Sequence, residues 1–196
     1  MRFPILLALA LPVTMAISLN VASAQVAAHP KPVRDAGDQL SKPVGMASAN
    51  TLGSFTAESF VENAARSDMY EIRAGKLAER RSSNPKIKAF AAEMVTAHTK
   101  TSMGLKEAIA SGKLGIVPPT DLDKRREGLL ANLQASSASE FDKRYVAQQI
   151  AAHEETLDLM KGYADHGDKD ALKAAATKTA PLVAEHLKMA KALPDA

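Results

Sequence analysis

The chain contains no cysteine, which removes disulfides, thiolate metal sites and cysteine nucleophiles together. Aromatic residues are scarce, with three Tyr and five Phe in 196 residues, and Lys and Arg are interleaved with Asp and Glu instead of clustering. Neither the basic footprint nor the stacking platform of a nucleic-acid binder is present, so nucleic acid is not an expected partner. The glycines fall at predicted helix ends and in loops and form no phosphate-cradling series. Ser67 and Thr101 lie near histidines, but no nucleophile elbow or oxyanion-hole signature accompanies them, and no residue is assigned a catalytic role.

Long apolar runs are also missing, except at the N-terminus. There Arg2 precedes an apolar stretch from Ile5 to Leu19, interrupted at Pro12 and Thr14, and Ala22 and Ala24 occupy the small-residue positions before Gln25. This is the three-part pattern of a cleavable secretory signal over residues 1–24, and it predicts a periplasmic or secreted product. No cysteine follows the run to carry a lipid, and Pro4 and Pro12 disfavour a spanning helix, so no stable membrane anchor is expected after cleavage. Cleavage takes Arg2 alone among the charged side chains, leaving a net charge of +2. Residues 25–54 carry Pro30, Pro32 and Pro43 with no sustained apolar period, the composition of a flexible leader.

From residue 55 to 193 the apolar period is that of helices, and no strand-like alternation competes with it, which predicts an all-α domain. Helix one is expected from near Thr56 to Ser82. Asn84-Pro85 supplies an N-cap and first-turn proline for helix two, which should stop at Gly112. A connector over residues 113–136 includes a short helix from about Asp121 to Gln134, with Leu122, Leu129, Leu130 and Leu133 on one side. Ser137 and Glu140 have capping-box spacing at the start of helix three, which ends at His166-Gly167, and Asp168 is expected to cap helix four. The short turns make each helix pair antiparallel. The connector's helical part covers about 20 Å, enough to cross much of the bundle and leave helices two and three parallel, the ferritin-like arrangement.

Four ionisable residues fall at the centre of the apolar faces of the four long helices. Glu71 shares its face with Phe60, Ala64, Ser67, Ala74 and Ala78; His98 with Ile87, Met94, Thr101 and Leu105; His153 with Val146, Ile150, Leu157 and Met160; His186 with Leu172, Thr179, Leu182 and Ala190. Counted along helices running in these directions, all four come within about two turns of one axial level. Buried groups of this kind must satisfy one another, a water or a metal ion.

The ordered set Phe60-Val61, Ala64 and Glu71; Asn84-Pro85, Phe90-Ala91, Met94 and His98; Phe141-Asp142, Tyr145 and His153-Glu154; and Pro181 with His186 resembles the secreted helical family called domain of unknown function 4142 (DUF4142). The resemblance spans roughly residues 58–193. It implies a ferritin-like four-helix bundle and an envelope location, and it brings no established activity. Ferritin-like di-iron enzymes carry Glu-x-x-His pairs. Here Val95, Ile150 and Val183 stand three residues before His98, His153 and His186, so the carboxylates that bridge two irons are missing.

Two readings of the inward set follow. His98, His153, His186 and Glu71 make a suitable ligand set for one transition-metal ion, Zn, Cu, Ni or Fe, with Met94 and Met189 adding a Cu(I) variant. Alternatively, the set is a buried polar layer in a noncatalytic envelope or stress-associated module, in which Glu71 accepts from one or two histidines and fixes which helix faces meet. Pro181, inside helix four, either kinks the chain to aim His186 or sits on the solvent side.

Overall fold

The computed structural model describes residues 55–194; the expected export signal and the whole of the expected leader lie outside them. Five helices and no strand are found among the described residues: α1 Ala57–Arg81, α2 Pro85–Ser111, α3 Lys124–Ala135, α4 Ala138–His166 and α5 Asp170–Lys191. The domain is all-α. Helix starts follow local chemistry. Thr56 Oγ1 accepts from the Ser59 amide, Asn84 Oδ1 accepts from the Lys86 amide ahead of Pro85, and Asp123 Oδ1 accepts from the Arg126 amide, each satisfying an otherwise free first-turn donor.

Two expected details differ. Asp168 does not cap α5. Lys169 holds that position, and Asp168 Oδ1 instead accepts from the Tyr163 hydroxyl at 2.8 Å, tying the turn back onto α4. Ser137 does precede α4, but its hydroxyl bonds to Ser139 and Glu140 side chains in place of the backbone. Helix α2 does stop at Gly112, as expected, and Gly112 keeps an ordinary helical φ. The left-handed residue is Lys113, φ 51°, and the Leu114 amide closes the turn onto the Ile109 carbonyl at 3.1 Å.

The chain directions can be read from contacts at the helix ends. Arg81, at the end of α1, donates to the carbonyls of Leu133, Gln134 and Ser136 and lies over the Phe141 ring at the start of α4. Phe60, at the start of α1, stacks on Tyr163 near the end of α4, ring centroids 4.1 Å apart. These two helices therefore run antiparallel. Helix α1 packs on α2 and α4, α5 packs on α2 and α4, and α3 lies against α1 and α4. Gly75 makes the α1–α2 approach close: a methyl there would stand 2.8 Å from Val95 Cγ2 and 2.9 Å from the Ala91 carbonyl.

Apolar side chains form two clusters. One gathers Tyr70, Leu77, Ile87, Phe90, Met94, Leu133, Phe141 and Tyr145 around the α1–α2 turn. The other gathers Phe60, Val61, Leu105, Ile109, Met160, Tyr163, Leu172 and Val183 toward the opposite end. Between them on α1, α2, α4 and α5 fall Ser67, Asp68, Glu71, His98, Gln149, His153, Thr156 and His186, all buried. Burial of apolar surface on both sides holds this polar belt away from water.

Candidate metal centre

Glu71, His98, His153 and His186 are all inside, at 1%, 2%, 1% and 7% exposure. Their helical phase predicts this inward position, with one correction on α5. Leu182 is half exposed, and the covered positions are Leu172, Ala176, Val183, His186 and Ala190. At about 100° per residue these centre to one side of His186, so His186 lies at the edge of its buried face and is the least enclosed of the three histidines. Pro181 is on the exposed side, and α5 continues through it.

The three imidazoles form a nearly equilateral triangle. Ring centroids are 5.6 Å apart for His98–His153 and 5.7 Å for both pairs with His186. One nitrogen from each lies within 4.8 Å of the other two. His98 Nε2, His153 Nε2 and His186 Nδ1 are buried without a hydrogen-bond partner.

The remaining ring nitrogens of two histidines are committed. His98 Nδ1 lies 2.8 Å from Asp68 Oδ1, and Asp68 also accepts from Thr101 Oγ1 at 2.8 Å and Ser102 Oγ at 3.0 Å. His153 Nδ1 lies 2.8 Å from the Gln149 carbonyl. A carbonyl accepts only, so His153 carries its proton on Nδ1 and presents a lone pair at Nε2; the Asp68 carboxylate imposes the same tautomer on His98. These are the outer partners that orient ligating imidazoles in metal sites.

Electrostatics separate the members. Burial lowers His153 to about 3, helped by repulsion from His98, and lowers His186 to about 4. Burial also pulls His98 down, but its bond to Asp68 and the charges of Glu71 and Asp68 outweigh it, and the net shift is upward. Desolvation raises Glu71 to about 7 against the opposing pull of His98. Two of the three imidazoles are thus neutral across the physiological range, the form that binds metal.

Glu71 is beside the three-nitrogen set, its Oε1 4.0 Å from His153 Nδ1. Neither of its oxygens makes a hydrogen bond. The other carboxylates near the seam have different roles: Asp68 holds His98, and Glu154 pairs with Lys191 at 2.7 Å. Met94 is fully buried in the apolar cluster. Ser67 Oγ and Thr156 Oγ1 pair at 2.7 Å, and Thr101 donates to Asp68, so both hydroxyls weighed as nucleophiles have structural partners.

Gln149 was not singled out by the sequence reading. It stands one turn before His153 on α4, completely buried, with both side-chain polar atoms unpaired. The signal was present: glutamine at i−4 from an inward histidine, with Tyr145 one turn earlier, makes a polar line along an otherwise apolar stripe.

No curated protein and no solved structure matches the chain. A family model described as a domain of unknown function, DUF4142, matches residues 42–193. The chain belongs to the DUF4142 family.

Proposed function

We propose that this is an exported metal-binding protein whose ferritin-like bundle holds one transition-metal ion on His98, His153 and His186, with Glu71 the carboxylate at the centre's edge. One observation carries the reading: three nitrogens from three helices lie within 4.8 Å of one another, and the three unpaired ring nitrogens are buried. Unpaired buried acceptors are costly, and an ion coordinated by all three removes the cost in one step. A small inward movement of the rings, to metal–nitrogen distances of about 2.0–2.1 Å, completes the centre. Neutral imidazoles suit Zn, Cu, Ni and Fe.

The bundle assignment is supported by the packing of α1 on α2 and α4, of α5 on α2 and α4, and of α3 along α1 and α4 as the long connector. Export is supported by the signal pattern before Gln25. Sequestration, delivery or redox protection in the envelope are the roles such a site serves.

The alternative, a structural or interaction module with a polar layer, is favoured by the closed network of Asp68 with His98, Thr101 and Ser102. It requires the layer to satisfy itself. Glu71 accepts from none of the histidines, and the three inward nitrogens have no partner, which weighs against it.

Thermal melts of wild type and His153→Ala, with and without Zn(II), Cu(II) and Fe(II), test the proposal. Wild type should gain about 2.7 kcal/mol at a free metal concentration a hundredfold above Kd, and the variant should lose most of that gain. Absence of metal-dependent stabilisation, together with no stoichiometric binding by calorimetry, rejects the centre. On the structural alternative, His153→Ala weakens the metal-free domain by about 1–3 kcal/mol and metal changes nothing.

A further inference from the structure

We propose that the three-histidine centre is an open one, its fourth coordination position taking a small exogenous oxygen or nitrogen ligand that Glu71 and Gln149 hold from the far side. This rests on the metal reading above and names what the metal is for: binding a small anion or solvent-derived ligand, as opposed to merely cross-linking the helices.

Two independent observations meet here. First, the mutually close donor set consists of three histidines and no carboxylate. Three protein ligands leave a tetrahedral ion one position short, the arrangement of reactive zinc sites in contrast to closed structural ones. Second, a group of polar atoms beside the imidazoles has nothing to bond. Both Glu71 oxygens, both Gln149 side-chain polar atoms and the Tyr145 hydroxyl are buried without hydrogen-bond partners. Glu71 is 1% exposed, and Gln149 and Tyr145 are completely buried.

These groups adjoin the centre. Glu71 Oε1 is 4.0 Å from His153 Nδ1, the nitrogen turned away from the convergence point, and Glu71 and His98 act on each other's charge, so Glu71 borders two of the three imidazoles. The backbone carbonyl of Gln149 accepts from His153 Nδ1 at 2.8 Å. Tyr145, Gln149 and His153 follow at four-residue intervals along one face of α4, so the unpaired groups continue the line of the centre into the domain. The Gln149 side chain favours the charged form of Glu71 as a weak hydrogen-bond donor, but the contact falls short of full hydrogen-bond geometry. The next inward positions on α1 and α5, Ala74 and Ala190, are buried in the apolar cluster that contains Tyr145.

A guest satisfying these atoms must be small, must coordinate through oxygen or nitrogen, and must both accept from the Gln149 amide and bond to the Glu71 carboxyl. Hydroxide, water and short anions such as azide share that chemistry. No bond within the guest is made or broken in the proposal, and no oxidant or reductant is required.

Azide is the probe, and Co(II) the reporter, because its visible absorption follows coordination number and ligand exchange. The full mature chain is loaded with Co(II) and titrated with azide, alongside Gln149→Leu and Glu71→Gln. The expected result is a saturable spectral change in wild type, with azide affinity reduced about tenfold in Gln149→Leu through loss of a buried hydrogen bond while Co(II) affinity is kept. Bound Co(II) whose spectrum ignores azide overturns the open position and leaves the metal reading standing. Failure to bind Co(II) or any other ion removes both. If Glu71→Gln abolishes Co(II) binding as completely as loss of a histidine, Glu71 is the fourth protein ligand and the centre is closed. Glu71→Gln thereby guards against a Gln149→Leu variant that fails to fold.

Discussion

Asp68 Oδ1 stands 2.8 Å from His98 Nδ1, and two hydroxyls from the next turn of α2, on Thr101 and Ser102, hold the carboxylate in place. Asp68 therefore aims His98 without touching the point on which the three histidines converge. Asp68→Asn removes the charge and exposes the ring to tautomer exchange. Metal affinity should fall about 10–100-fold, the usual effect of losing an outer partner, while His98→Ala removes a ligand outright. Equal affinity in wild type and Asp68→Asn by competition with a chromogenic chelator would contradict this ordering.

The metal-free domain should be most stable near pH 6.5 as far as the four inward groups govern it. In the unfolded chain the histidines take up protons below their ordinary 6.5, whereas folded His153 and His186 resist down to about 3 and 4. Stability is therefore lost as pH falls below 6.5. Above it the sign reverses, because folded Glu71 keeps its proton up to about 7 while the unfolded carboxyl has long released it, and folded His98, raised above 6.5, gives up its proton late as well. Each proton of difference contributes about 1.4 kcal/mol per pH unit. Urea midpoints from pH 5 to 8 should trace a maximum, and Glu71→Gln should steepen the acid limb and weaken the alkaline one, because folded Glu71 holds its proton from the ordinary carboxyl range up to about 7. Absence of any alkaline decline in wild type would show that neither Glu71 nor His98 holds its proton late in the fold.

Gly75→Ala should destabilise the domain by about 1–3 kcal/mol through overpacking. The added methyl meets Val95 Cγ2 and the Ala91 carbonyl, and the backbone oxygen cannot turn away as a side chain could. Since the same seam brings Asp68 to His98, the variant should also weaken metal binding, measurable by calorimetry on folded protein.

Arg81→Met should cost about 2–3 kcal/mol in denaturant melts, more than an exposed basic residue ordinarily contributes. Its guanidinium donates to three carbonyls at the end of α3 and the turn into α4 and covers Phe141. Unchanged stability would mean that water replaces all three contacts without loss.

The helices were legible because their apolar stripes are long and two of their starts carry Thr56 and Asn84-Pro85; the connector helix is expected from Asp121 but begins after Asp123, its cap. The inward direction of the three histidines and Glu71 followed from the same period. Errors arose where one residue's side chain had two possible partners. Asp168 had both a helix to cap and a tyrosine within reach, and the tyrosine won. On α5, alanines line much of both faces, so the stripe's centre was poorly defined and Leu182 was misplaced. Asp68 was visible near the seam, but its bond to His98 depends on how closely α1 approaches α2. That closeness is set by Gly75, a residue whose packing role carries no periodic signal.

The three histidines are shared unequally between the two helical hairpins: α2 of the first contributes His98, and α4 and α5 of the second contribute His153 and His186. On the proposed metal reading, an ion held by all three would be a staple between hairpins in a chain with no cysteine to make one. Unlike a disulfide, whose strength is set by redox poise, this staple tightens or slackens with metal supply. Starved of metal, the hairpins should retain their helices and loosen against each other first along α2 and α5, where His186 is least enclosed.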